Sequence, residues 1–212
     1  MIDVNHSRVH RSVGLVACAA SFVITLAACG SDTDKPSANT TSAAEPVATS
    51  SVTNTATGAS SCPTTAPANA GTPEWTLPGT TGSVAVTGST DSTAPVVKVE
   101  APFAVTETQV HTLTAGDGPV IADTATVSVC YMGVNGRDGT VFDSAYQRGE
   151  PAQFPLNGVV PGFQKAIAGQ KVGSTVAVAM NPADGYPDGQ PSAGIQKGDS
   201  LIFAIKILDA SS

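Results

Sequence analysis

The side chains able to do chemistry in this chain are concentrated in its second half. Seven of the ten aromatic residues lie between Tyr131 and Phe203 (Tyr131, Phe142, Tyr146, Phe154, Phe163, Tyr186 and Phe203), leaving Phe22, Trp75 and Phe103 outside. Rings at that density supply flat apolar walls. The polar groups among them are few: Asp143 directly after Phe142, Arg148 shortly beyond, and Tyr186 in a loop rich in Gly, Pro and Asp. Such a set suits binding in an apolar hollow with a few oriented polar contacts. Bond cleavage is poorly served. Of the histidines His6, His10 and His111, the first two belong to a leader segment described below, so one remains for a Ser-His-Asp arrangement. The same shortage of ligands argues against zinc, and no metal or cofactor is expected.

The elements that must position these residues are mostly strands. Residues 95–100, 103–113, 126–132, 174–180 and 201–208 are rich in Val, Ile, Thr and aromatics and are bounded by Gly, Asp or Pro. In the last of them Leu201, Phe203, Ile205 and Ile207 alternate onto one face, which some other element has to cover. In 126–132 the parity puts Val127, Val129 and Tyr131 on one side and Thr126, Ser128 and Cys130 on the other. One helix is expected in this part, over 161–168. It has Pro161 at its start, where a missing N–H costs nothing, and Gly169 at its exit. Phe163, Ala166 and Ile167 form its apolar stripe and are the natural cover for the sheet. Sheet plus one crossing helix predicts an α+β half-barrel domain over 95–212.

The rest of the chain speaks of location. Arg8 and Arg11 precede a stretch from Ser12 to Ser31 without a charged side chain, and its apolar run, 13–27, is too short to span a bilayer. It closes on Leu26-Ala27-Ala28-Cys29, similar to a bacterial lipoprotein cleavage box. On that reading residues 1–28 are a leader and Cys29 is the acylated first residue of an exported protein held at the outer face of the cell membrane. An ordinary secretory leader with a chance cysteine is the alternative. Loss of the leader leaves 16 acidic and 8 basic residues, a balance that disfavours nucleic acid and offers no basic cluster for lipid headgroups. Residues 29–72, dominated by Ser, Thr, Ala, Pro and Asn, cannot bury enough surface to order themselves and read as a tether. A glycosylated stalk is compatible with the same composition. Residues 73–94 form an N-terminal extension packing on the domain. Cys62 and Cys130 are the cysteines left over, and in an oxidising compartment they either form one bridge or stay as a free Cys62 and a buried, inert Cys130. A bridge places the stretch around Trp75 on the sheet face opposite the hollow.

In order along the chain, Val129-Cys130-Tyr131-Met132-Gly133, Asp138-Gly139-Thr140-Val141-Phe142-Asp143-Ser144, Phe154-Pro155-Leu156, Val159-Val160-Pro161-Gly162-Phe163, Asp184-Gly185-Tyr186 and Leu201-Ile202-Phe203 together resemble the FKBP-type peptidyl-prolyl cis-trans isomerases. The resemblance implies an FKBP-like antiparallel half-barrel wrapped around one short helix, and rotation about X-Pro bonds without a covalent intermediate. Proline-containing polypeptides are the implied partners and macrolides such as rapamycin or tacrolimus the implied ligands of a monomer. It assigns the bowl to Tyr131, Phe142, Phe154, Val159, Val160, Phe163 and Phe203, with Phe163 as floor. Tyr186 becomes the donor to the carbonyl before proline, and Asp143 an acidic wall residue that Tyr131 and Arg148 can reach. Val160 offers a backbone N–H, and Ile195 sits on the rim. Simpler readings stand beside these: Val159 as core, Tyr186 as a half-exposed loop residue, Asp143 as a turn former, Arg148 as a solvated cation. Three departures from the family pattern bear on rate and ligand preference: Pro187 after Tyr186, Ala152 at a position often aromatic, and a contraction near Asn157-Gly158. A membrane-tethered peptide-binding chaperone with little turnover is the rival function.

Overall fold

The computed structural model describes residues 61–211. The leader, Cys29 and the tether through residue 60 lie outside the described residues. The elements run β1 (Trp75–Pro78), β2 (Thr81–Thr87), β3 (Val96–Ala104), β4 (Gln109–Thr114), β5 (Thr126–Asn135), β6 (Val141–Ser144), α1 (Ala145–Arg148), β7 (Ala152–Pro155), α2 (Pro161–Ile167), β8 (Thr175–Met180) and β9 (Leu201–Ser211). Six of the strands make an antiparallel sheet, β4-β8-β9-β5-β6, with β7 also paired to β5. The long strand β5 takes β7 along its first half and β6 along its second. Between these two edge partners the chain leaves the sheet as α1, entered through the Ser144 side chain on Gln147 N–H and left through Gly149 in the left-handed region. Those two caps allow a helix of one turn, too short for apolar periodicity to reveal, to stand between two strands.

Strand parity sorts the core. Leu201, Phe203, Ile205 and Ile207 of β9 and Val176, Val178 and Met180 of β8 face α2, where Phe163, Ala166 and Ile167 cover them. Gly162 makes that closeness possible, since a Cβ there would stand 2.5 Å from Met180 Cγ. The intervening residues, Ala177 and Ala179 of β8 and Ile202 and Ala204 of β9, point to the back. There they meet Val84, Val86 and Phe103 from a second, three-stranded sheet, β1-β2-β3, with Trp75 and Leu77 at its margin. Every residue of β8 is buried because both of its faces are covered. Trp75 also stacks on His111 of β4, with ring centroids 5.7 Å apart.

Three sequence expectations are revised by these observations. The stretch 103–113 is not one strand: β3 and β4 belong to different sheets, and residues 105–108 carry the chain between them. Side chains take up that backbone, Ser200 Oγ accepting from Val105 N–H at 3.1 Å and Asn181 Nδ2 donating to Thr106 C=O at 2.9 Å. A second short helix, α1, joins the one expected. Ordered packing also begins well before residue 73. Cys62 is buried, its N–H bonds Gly149 C=O at 3.0 Å, and Thr65 C=O accepts from Ala94 N–H at 2.8 Å. Cys62 and Cys130 are joined, so the strap at 61–65 is tied both to β5 and to the end of α1.

Candidate active site

The aromatic residues singled out in the sequence converge on one open cavity of about 400 Å³ between the concave face of the large sheet and α2. Tyr131 from β5, Phe142 from β6, Phe154 from β7 and Phe203 from β9 form walls, Phe163 from α2 lies at the floor, and Val159 and Val160 line the side. Parity explains the convergence: Tyr131 and Phe203 are inward positions on neighbouring strands, and α2 turns Phe163 to meet them. The rings lock edge to face. Phe163 stands 5.4 Å from Phe203 and 5.9 Å from both Tyr131 and Phe154, at interplanar angles of 84°, 86° and 78°. Phe142 crosses Phe203 at 5.6 Å and 87°. Gly133 leaves room for that last pair, since a Cβ there would come within 2.6 Å of Phe142 and 2.8 Å of Phe203. Edge-to-face contacts of this kind each contribute about 0.5–1.5 kcal/mol beyond area burial, so the walls are held before any ligand arrives.

One corner of the cavity is polar. The Tyr131 hydroxyl donates to Asp143, Arg148 pairs with the other carboxylate oxygen, and Arg148 Nη2 donates to the Tyr131 oxygen at 3.1 Å. The guanidinium carbon also lies 5.7 Å from the centre of the Tyr131 ring. Burial pushes the Tyr131 phenol up to about 12, helped by the carboxylate that accepts its proton. Burial pushes the Asp143 carboxyl up as well, but the hydrogen bonds from Tyr131 and Arg148 and the Arg148 charge outweigh it and hold the group below the usual carboxylate range. At neutral pH the corner therefore carries a carboxylate, a guanidinium and a neutral phenol, balanced in charge. The one-turn helix α1 brings Arg148 back to Asp143.

Tyr186 also lines the cavity, from the loop after β8. Among the described residues its hydroxyl has no hydrogen-bond partner. The Val160 N–H is likewise free among the described residues, while the Val160 carbonyl starts α2 by accepting from Phe163 and Gln164 N–H. Gly158 lines the cavity too, at the contraction where sequence alone marked only a departure from the family pattern. The signal available was a glycine closing the Leu156–Gly158 3₁₀ turn just before the Val-Val pair. Ile195 corrects the expectation of a rim residue. Its backbone pairs with Gln190, which tucks the side chain into the main core at 1% exposure, bordering a separate surface hollow beside Asp188 and Lys197. Leu156 is wholly core. Among the described residues no group of three or more His, Cys, Asp or Glu side chains is gathered to hold a metal ion.

A half-barrel sheet closed by a short helix over a ring-lined bowl, with a charge-balanced polar corner and a phenol without a partner among the described residues, defines a domain with a preformed apolar binding hollow. Comparison with known proteins makes this specific. A family model described as FKBP-type peptidyl-prolyl cis-trans isomerase matches residues 116–208. A probable FK506-binding protein of Corynebacterium glutamicum is 38% identical over 96 residues, covering 45% of this chain and 80% of the relative. The FKBP-type 22 kDa peptidyl-prolyl cis-trans isomerase of Escherichia coli is 38% identical over 101 residues. That match covers 48% of each chain, so the protein spans about half the length of this relative. The crystal structure of FkpA from Escherichia coli aligns with a TM-score of 0.45 and 33% identity, over 49% of this chain and 48% of that one. The chain belongs to the FKBP-type peptidyl-prolyl cis-trans isomerase family.

Proposed function

We propose that the protein rotates X-Pro peptide bonds in exported polypeptides while held to the outer face of the cell membrane by lipid on Cys29. The observation that carries the catalytic reading is the bowl itself: edge-locked rings around about 400 Å³, with Asp143 and Tyr186 as its few polar lining side chains beside Tyr131. Prolyl rotation faces a barrier of about 18–20 kcal/mol that comes from amide resonance. No bond is made or broken. What lowers the barrier is a site that holds the twisted amide better than either planar form, and a millionfold acceleration takes about 8 kcal/mol of such preference.

The residues divide that work. The prolyl ring sits on Phe163 between Tyr131 and Phe203, which removes the amide from the water that favours its polar, planar state. Tyr186 donates to the carbonyl before proline and holds the preceding chain, with the Val160 N–H as a second anchor for an extended peptide. Asp143, kept ionised and aimed by Tyr131 and Arg148, acts on the carbonyl as it turns. Macrolides such as rapamycin or tacrolimus are further ligands of the same bowl. Arg8 and Arg11 ahead of the uncharged apolar run, the Leu26-Ala27-Ala28-Cys29 box and the low-complexity tether support export and anchoring.

The test is cis-to-trans exchange of an X-Pro tetrapeptide followed by NMR line broadening with the full chain. Exchange is expected to accelerate, with loss in Asp143→Val and Tyr186→Ala. Peptide binding without acceleration would replace this reading by that of a binding module.

A further inference from the structure

Tyr186 carries a role in the proposed reaction, and what holds it locally is its ring, packed against the main core, and its carbonyl, which accepts from Gly189 N–H at 2.9 Å. Its hydroxyl has no partner among the described residues, and Pro187 and Asp188 beyond it are exposed. β8 ends at Met180, so the chain reaches Tyr186 through a 3₁₀ turn (Pro182–Asp184) and Gly185, without ladder bonds to a neighbouring strand. What fixes this approach is Asp184. Its N–H is capped by Asn181 Oδ1 at 2.9 Å, and its carboxylate accepts from Thr108 Oγ1 at 2.6 Å and from Lys165 Nζ at 2.7 and 2.8 Å. Asn181 in turn donates to Thr106 C=O at 2.9 Å, anchoring the knot to the connector between β3 and β4. Lys165 belongs to α2, two residues after the floor ring Phe163. One carboxylate thus ties together the helix under the bowl, the connector beside it and the loop that carries the phenol. Its side chain is 19% exposed, against 57% for Lys165, so the bonds sit in a partly desolvated position.

We propose that Asp184 is a positioning residue for Tyr186, which with Lys165 and Thr108 sets the spacing between the floor of the bowl and the phenol on its rim. This rests on the reading of Tyr186 as the donor to the substrate carbonyl. A prolyl ring on Phe163 and the carbonyl before it belong to one ligand, so both must be met at once, and a misplacement of about 1 Å costs up to about a hundredfold in rate. A loop closed merely for stability has no such requirement.

The experiment uses the full chain with Asp184→Ala, Asp184→Asn, Lys165→Ala, Tyr186→Phe and the double variant Asp184→Ala/Tyr186→Phe. Tyr186→Phe is expected to lower kcat/KM about five- to tenfold, the effect of one hydrogen bond. Asp184→Ala is expected to lose about as much or more, and the double variant no more than Asp184→Ala alone, because a displaced phenol has nothing further to lose. Asp184→Asn and Lys165→Ala, which keep the Thr108 partner, fall between wild type and Asp184→Ala. Losses that multiply in the double variant, or kcat/KM within about twofold of wild type in Asp184→Ala, overturn the proposal. A second arm records ring signals of 13C-labelled tyrosine, of which the chain has three. The Tyr186 signals are expected to shift and broaden in Asp184→Ala and in the milder Asp184→Asn, with Tyr131 and Tyr146 unmoved. Unmoved Tyr186 signals overturn the proposal even if no variant turns over. Wild-type protein without exchange activity overturns the isomerase reading instead, and the ring signals then decide the positioning role on their own.

Discussion

Replacing Tyr131 by Phe removes a single oxygen from the polar corner, and its effect on stability is expected to reverse with pH. The ring and its contacts to Phe154, Phe163 and Phe203 are retained, so the wall survives. Lost are the donor to Asp143 and the acceptor of Arg148. A buried hydrogen bond to a charged group contributes about 1.5–3 kcal/mol. Here the Asp143 and Arg148 side chains are 40% and 49% exposed and water replaces part of the loss, so the cost at pH 7 is about 1 kcal/mol. At alkaline pH a second effect enters. The phenol titrates at about 12 in the folded protein and near 10 when unfolded. Between those values the unfolded chain has released its proton and the folded one has not, so fewer protons are bound in the unfolded state and stability falls as pH rises. At pH 11 the wild type has lost about 1.4 kcal/mol through this residue alone, and Tyr131→Phe has lost nothing there. Tyr146, pushed by burial to about 12, adds a similar loss to both proteins and cancels from the comparison. Urea unfolding of the two proteins at pH 7 and pH 11 should show a wild-type advantage of about 1 kcal/mol that vanishes or inverts. A gap that stays constant across that range would refute the raised ionisation of the Tyr131 phenol.

Two further expectations concern the parts that hold the domain in place. The Cys62–Cys130 link closes a sequence separation of 68 residues, for which chain entropy predicts a contribution of about 4 kcal/mol. Cys62→Ala/Cys130→Ala should therefore unfold at markedly lower urea and lose exchange protection at the amide of position 62, which bonds Gly149 C=O; recovery of the two cysteines in separate peptides from unreduced wild-type protein would disprove the link. Cys29→Ser should move the exported protein from the detergent phase to the aqueous phase, and equal partitioning of the two forms would remove the lipid anchor from the proposal.

Several elements could be read from local pattern alone. The alternation of β9, the apolar stripe of α2 between Pro161 and Gly169, and the Val-rich β5 and β8 each bury a face that their own side chains define. The bowl was legible for the same reason: Tyr131, Phe142, Phe154, Phe163 and Phe203 are large rings whose burial follows from their elements' parity. The short strands β1 and β2, by contrast, carry few strong apolar residues besides Trp75, Leu77, Val84 and Val86 among Thr, Gly, Ser, Ala and Pro, and only β3 and the back of the large sheet give them a reason to order. Residues 103–113 look like one strand because propensity is blind to which sheet a strand joins; Ser200 and Asn181, far along the chain, decide that it breaks. Ile195 carries no local mark of whether its loop turns it toward the bowl or into the core.

What the amino-acid order settled by itself was the inventory: an apolar, ring-rich half-barrel domain with a spare carboxylate and a spare phenol, because periodicity, caps and side-chain type act over a few residues. Tertiary structure alone decided the pairings across long separations: Cys62 fastened to β5, the second sheet laid over the back of the first, and Lys165 under the rim joined to Asp184. Such contacts form only after loops close, and loop closure is governed by the packing of the whole chain, which no local window of residues contains.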